Sequence, residues 1–174
     1  ASLVNFSVAL SVAVVALALR PGTRELLRGV RRWPGAWWAL TAGLGGAIVV
    51  VAGAVSVETI GLAVFSVAFF AGQIACGLLV DHFGVGPRGA RPITRARVQA
   101  VVLALVAVVV AQVGKPTGEL APGLVAFVVF AGASVAFQSA FNGRITATIG
   151  DPVAATALNV TVGTTALAVI VGGL

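Results

Sequence analysis

Six long stretches of this chain contain no Asp, Glu, Lys or Arg: Ala1–Leu19, Ala36–Val57, Ile60–Val80, Val98–Gly114, Pro122–Phe141 and Val153–Gly172. A helix that crosses ~30 Å of hydrocarbon needs about 20 apolar residues, and each run comes near that length. Every such charge falls between the runs, as spans require and buried helices of a soluble core do not. Of the 174 residues, 59% are hydrophobic and 9% charged, against about 25% charged in a soluble domain. So little charge could not cover a water-exposed surface. One Cys, one His and no low-complexity tract exclude a disulfide scaffold, a zinc module and a disordered chain. The runs do not alternate polar and apolar residues as barrel strands would. A helix satisfies its own backbone in lipid, so the expected fold class is all-α: a polytopic membrane helix bundle of six spans.

The connectors set the topology. Val57–Ile60 reads as a two-residue turn at Glu58 and Thr59, and Lys115–Ala121 is a second short link. Links this short make neighbouring helices antiparallel. The long connectors, Arg20–Gly35 and Asp81–Arg97, are basic. Arg20, Arg24, Arg28, Arg31 and Arg32 lie in the first, Arg88, Arg91, Arg95 and Arg97 in the second, and Arg144 in the fifth connector. All three share one side, with only Lys115 opposite, so the positive-inside rule makes that side cytoplasmic. Trp33, Trp37 and Trp38 sit at the start of the second run, where an interfacial aromatic belt belongs. The net charge of +6 serves topology and anionic headgroups; no RNA-binding motif accompanies it, so no nucleic-acid partner is expected.

A repeat links the two ends. Ala1-Ser2-Leu3-Val4-Asn5-Phe6-Ser7-Val8-Ala9 and Ala155-Thr156-Ala157-Leu158-Asn159-Val160-Thr161-Val162-Gly163 share an order of small, hydroxyl, apolar, apolar, Asn, apolar, hydroxyl, Val, small. The first and sixth runs then correspond, so the repeat unit holds five helices. Five is odd, and the second copy enters the membrane from the opposite face. Inverted repeats with a site at their interface are characteristic of secondary transporters.

Gly72-Gln73 with Asp81-His82-Phe83-Gly84, then Ala131-Gly132, Gln138 and Asn142, then Gly150-Asp151-Pro152 and Ala157-Leu158-Asn159 resemble, in order, the bacterial YdcZ-like branch of the drug/metabolite transporter superfamily. The resemblance covers essentially the whole chain. It implies five-helix units, single or fused, in a five-plus-five inverted architecture. On that basis residues 1–115 are similar to helices two to five of one unit, and residues 116–174 to the first two helices of the next. A chain with no Met, beginning and ending inside apolar runs, is then expected to be a piece of a longer one. The first helix of the first unit and three helices of the second are missing relative to the family pattern. The resemblance further implies a multi-pass protein of the bacterial plasma (inner) membrane that exports small metabolites or drugs.

Polar residues inside spans are costly and usually face the bundle interior or a pathway. The candidate substrate-binding residues are Gln73, Gln138, Asn142, Asn5 and Asn159. Gln138 and Asn142, four apart, share a helical face with Ser134. They suit either a solute or interhelical hydrogen bonding, and Asn142 suits a helix-end cap. Asn159 shares a face with Thr156 and Gly163, as Asn5 does with Ser2 and Ala9; small residues beside an amide favour close helix packing. Ala68, Gly72 and Cys76 form a small-xxx-small face for packing, with Gln73 beside it. Asp81 and His82 read as a helix-end turn closed by Gly84, with Asp81 answering nearby arginines.

No carboxylate lies within a run, so carboxylate-driven cation exchange has no carrier. No Ser/His/Asp set, phosphate loop or metal cluster is present, so an enzyme is not expected, and neither a cofactor nor a metal. The expected partners are the lipid bilayer and a small-molecule substrate, with homo-oligomerisation left open. The competing reading is a non-transporting membrane scaffold or assembly protein, which needs only the packing motifs.

Overall fold

The computed structural model describes residues 41–113 and 121–172, together with Val8, Ser11, Val12 and Val15, which are helical. The regular elements among them are α-helices: α1 (Ala42–Ile60), α2 (Leu62–His82), α3 (Arg95–Val110), α4 (Pro122–Ile149) and α5 (Pro152–Gly172). Four of them, α1, α2, α4 and α5 as far as Ile170, are long and apolar enough to cross a membrane. The expected runs Ala36–Val57, Ile60–Val80, Pro122–Phe141 and Val153–Gly172 each coincide with one of these. Val98–Gly114 does not yield a span of full length. Its helix begins earlier, at Arg95, and its 16 residues rise about 24 Å, short of ~30 Å. Arginine is a good helix former and its long stem carries the charge to water, so the charged residues extend the helix where a charge-free rule would stop it. The run Ala1–Leu19, apart from the four helical positions, and the connectors holding Arg20–Arg32, Trp33, Trp37, Trp38 and Lys115 lie outside the described residues.

Two expected boundaries are corrected. The first turn is not at Glu58 and Thr59: α1 continues through both to Ile60. The break falls on Gly61, at φ 81° and ψ 153°, a region open essentially to glycine alone. Its N–H still donates to the Val57 carbonyl at 3.0 Å, and its carbonyl accepts from Phe65 N–H at 3.0 Å. One residue therefore reverses the chain between two helices. The second correction is Arg144, which lies inside α4 rather than in a connector. At 28 residues, α4 is about 42 Å long, more than the hydrocarbon needs, so its last turns reach the interface where an exposed arginine is tolerated.

The corner between α4 and α5 is built from three residues with separate roles. Gly150 takes φ 75° and donates its N–H to the Thr146 carbonyl at 2.8 Å. Asp151 is the N-cap: its Oδ1 accepts from the N–H of Val153 at 2.8 Å and of Ala154 at 3.3 Å. Pro152 opens the helix, where its missing N–H costs nothing. Asp151→Ala is expected to cost about 1 kcal/mol, the usual value of an N-cap, while Asp151→Asn keeps the acceptor and loses little. Thermal unfolding of the purified protein in detergent distinguishes them.

The chain divides into two compact units, Ala1–Ala47 with Gln138–Leu174, and Ile48–Phe137. In the second, Ile60, Val64, Ala68 and Val128 are buried together, and Phe65, Phe69, Leu124 and Val125 close around them. At the heart of this unit α2 and α4 cross on two glycines. A Cβ on Gly72 would overlap the Val129 carbonyl, and a Cβ on Gly132 would overlap the Phe69 carbonyl. Each helix thus presses its backbone onto the other's glycine. The expected packing face is realised: Ala68, Gly72 and Cys76 are all buried. In the first unit, Ile145 and Ala155 are buried with Ile149 and Leu158 against them, which closes the α4–α5 hairpin. Gly43 meets the backbone of α5: its Cβ would lie 2.6 Å from Val162 Cβ and 2.9 Å from Gly163 N.

Candidate functional site

Most hydroxyl groups in the spans are already spent on their own helices. Ser66, Ser134, Thr156, Thr161, Thr164 and Thr165 each donate to a carbonyl three or four residues earlier, at 2.7–2.9 Å. That pattern satisfies the donor without a second helix. The side-chain amides are different, because they are too long and carry too many groups to be satisfied this way.

Within the first unit, Gln138 of α4 donates from Nε2 to Oδ1 of Asn159 on α5, at 2.9 Å. Both residues are half-buried. Two residues singled out separately in the sequence are therefore partners across the hairpin. One hydrogen bond leaves the Gln138 carbonyl oxygen and the Asn159 NH2 with bonding capacity. Asn142 lies one turn further along α4, and its Oδ1 is buried without a hydrogen-bond partner. A buried, unmet amide oxygen costs on the order of 1–3 kcal/mol, so this position carries a polar group at a price that packing alone does not require. The helix-end reading of Asn142 is corrected: α4 runs on to Ile149, and the residue sits inside the helix. Three amide side chains, Gln138, Asn142 and Asn159, thus occupy one apolar hairpin with no charged group among them.

The other candidates fall elsewhere. Gln73 belongs to the second unit, half-buried on α2 beside the glycine crossing; its backbone nitrogen lies 3.0 Å from where a Gly132 Cβ would stand. Asn5 lies outside the described residues. Thr156, which shares the Asn159 face by spacing, is exposed. Sequence reasoning missed Ser56, which is fully buried with its Oγ unpartnered. The available signal was a lone hydroxyl in an otherwise Ala, Gly and Val run.

Asp81 and His82 end α2 as a turn. Phe83 caps the helix, Gly84 donates to the Asp81 carbonyl at 3.3 Å, and Val85 donates to the Val80 carbonyl at 3.0 Å. These two bonds, with Gly84 at φ 65°, make a Schellman closure. The Asp81 side chain pairs with Arg97, the arginine partner expected for it. Among the described residues no three of His, Cys, Asp and Glu come together as metal ligands.

Neither a curated protein nor a solved structure matches the chain. Residues 1–110 and 123–173 match the family described as "Putative inner membrane exporter, YdcZ". With apolar helices long enough to span and that match along nearly its whole length, the chain belongs to this family of multi-pass inner-membrane transporters, a class that works in the lipid bilayer on small-molecule solutes and is not an enzyme class.

Proposed function

We propose that the protein exports small, uncharged or zwitterionic metabolites or drugs by alternating access, with Gln138, Asn142 and Asn159 among the groups that hold the solute. The observation that carries this reading is the interhelical amide pair at 2.9 Å with the buried, unpartnered Asn142 oxygen one turn away. A solute with donors and acceptors can take up the capacity these amides leave unused, and nothing in the hairpin repels a neutral molecule. In the proposed architecture six spans belong to a five-plus-five inverted arrangement, with residues 1–115 in one unit and 116–174 in the next. The basic connectors face the cytoplasm. The nine-residue repeat and the charge distribution support that arrangement, and Gln73 and Asn5 are its further candidate contacts.

Two measurements test the reading. In proteoliposomes, Gln138→Leu and Asn159→Leu are each expected to lower solute flux at least tenfold. Their cost in stability should stay near 1 kcal/mol, the scale of an interhelical hydrogen bond in a membrane protein. Unchanged flux in both variants removes these amides from the pathway. For topology, a Cys76→Ala background takes single cysteines at Ser2 and Val153. An impermeant reagent applied to intact cells should label only the Ser2 site, and equal labelling of both sinks the inverted repeat.

A further inference from the structure

Asp81 is the only carboxylate between Glu58 and Glu119, whereas Arg88, Arg91, Arg95 and Arg97 follow it within one connector and the start of α3. The structure sorts the four arginines. Arg97 is half-buried and takes Asp81 as its partner. Arg88, Arg91 and Arg95 are exposed and have no acidic partner among the described residues. Their backbone is nevertheless fixed. The Schellman bonds close the end of α2, and Arg91 N–H donates to the Asp81 carbonyl at 2.7 Å. Gly84 permits this fold-back, since any Cβ there would lie 2.7 Å from the Ala90 nitrogen. Asp81 thus anchors the segment twice, by its carbonyl to Arg91 and by its carboxylate to Arg97, and the three guanidinium groups without an acidic partner among the described residues follow the end of a membrane helix. The same segment exposes two large apolar side chains: Phe83 is 73% exposed and Ile93 44%.

We propose that Arg88, Arg91 and Arg95 form a docking site for the phosphodiester headgroup of an anionic phospholipid in the adjoining leaflet, with Phe83 and Ile93 set among its acyl chains. Guanidinium groups suit phosphate oxygens because they present planar, forked donors, and each basic residue near an anionic surface adds attraction. A soluble anion would use the arginines but has no use for an exposed Phe83 and Ile93. A lipid uses both.

The test uses the full chain in vesicles of phosphatidylcholine with a minority of phosphatidylglycerol. A fluorophore is placed on Ala90→Cys in a Cys76→Ala background. Either lipid carries a spin-label quencher near the headgroup end of its acyl chain. Phosphatidylglycerol is expected to enrich at the loop by at least about fivefold over phosphatidylcholine, the effect of a single arginine. The preference should fall to about one in R88Q/R91Q/R95Q and survive in R88K/R91K/R95K. The three side chains are exposed, so unfolding midpoints of these variants in phosphatidylcholine alone should match the parent. Equal quenching by both lipids in the parent overturns the proposal, and so does a preference that persists in the glutamine variant. Displacement of phosphatidylglycerol by inorganic phosphate beyond that by chloride of equal ionic strength would assign the site to a free anion instead.

Discussion

Gly72→Ala and Gly132→Ala are each expected to destabilise the protein by about 3 kcal/mol, the upper part of the usual overpacking range. The reason is what the new methyl meets. At Gly72 it overlaps the Val129 carbonyl and at Gly132 the Phe69 carbonyl; neither is a flexible side chain that can rotate away. Relief requires α2 and α4 to separate, which opens the contacts on both sides of the crossing. Gly77, on the same helix, has nothing within 4 Å of its Cβ position. Gly77→Ala is therefore expected to be neutral or stabilising by up to ~1 kcal/mol, the helix-propensity gain. The double variant Gly72→Ala/Gly132→Ala should cost less than the sum, because both methyls wedge the same crossing. Thermal unfolding in detergent, followed by the monodisperse fraction on size exclusion, reads all four. Equal midpoints for the Gly72 and Gly77 variants would show that the crossing is not where the structure puts it.

The second large effect is expected at Gly84. Gly84→Ala is placed at about 3 kcal/mol, combining ~1–2 for a left-handed φ with overpacking against the Ala90 nitrogen. Gly61→Ala provides the comparison: its Cβ position is open, so only a backbone term applies, about 1–3 kcal/mol for a φ and ψ open essentially to glycine alone. Gly61→Ala reports backbone strain without a steric clash, whereas Gly84→Ala carries both. Gly84→Ala should also loosen the loop that carries Arg88 and Arg91, and so weaken the lipid preference there. Gly61→Ala should leave that preference intact. Breaking the Asp81–Arg97 pair by Asp81→Asn is expected to matter less, below ~1 kcal/mol, because both side chains are about one-third exposed and water screens them.

Much of the fold was legible because the membrane makes the code simple. A span must be apolar, long and helical, and four of the expected runs coincide with such helices. Helix ends were less legible. The α1–α2 turn moved from Glu58 and Thr59 to Gly61, because chain reversal is decided by which residue can take an unusual φ and ψ and not by which is polar. Arg95, Arg97 and Arg144 lie inside helices for a related reason: near the interface a long cationic side chain reaches water while its backbone stays helical. The spacing of Ala68, Gly72 and Cys76 announced a packing face, yet said nothing of which helix would meet it.

The candidate site divides in the same way. That Gln73, Gln138, Asn142, Asn5 and Asn159 are the candidates to consider was readable from the cost of placing amides in lipid. Which of them meet was not, since hydrogen-bond partners 21 residues apart depend on how two helices fold back on a corner. Sequence by itself determined the class of protein, four of its helical spans and its family, because solvent and backbone hydrogen bonding leave a long apolar run one structure in lipid. Tertiary structure alone decided that Gly72 and Gly132 meet the Val129 and Phe69 carbonyls of the opposite helix, that Gln138 bonds Asn159, and that Asp81 selects Arg97 and leaves Arg88, Arg91 and Arg95 without an acidic partner among the described residues. Those outcomes turn on distances of a few ångströms between segments remote in the chain, and no local preference encodes them.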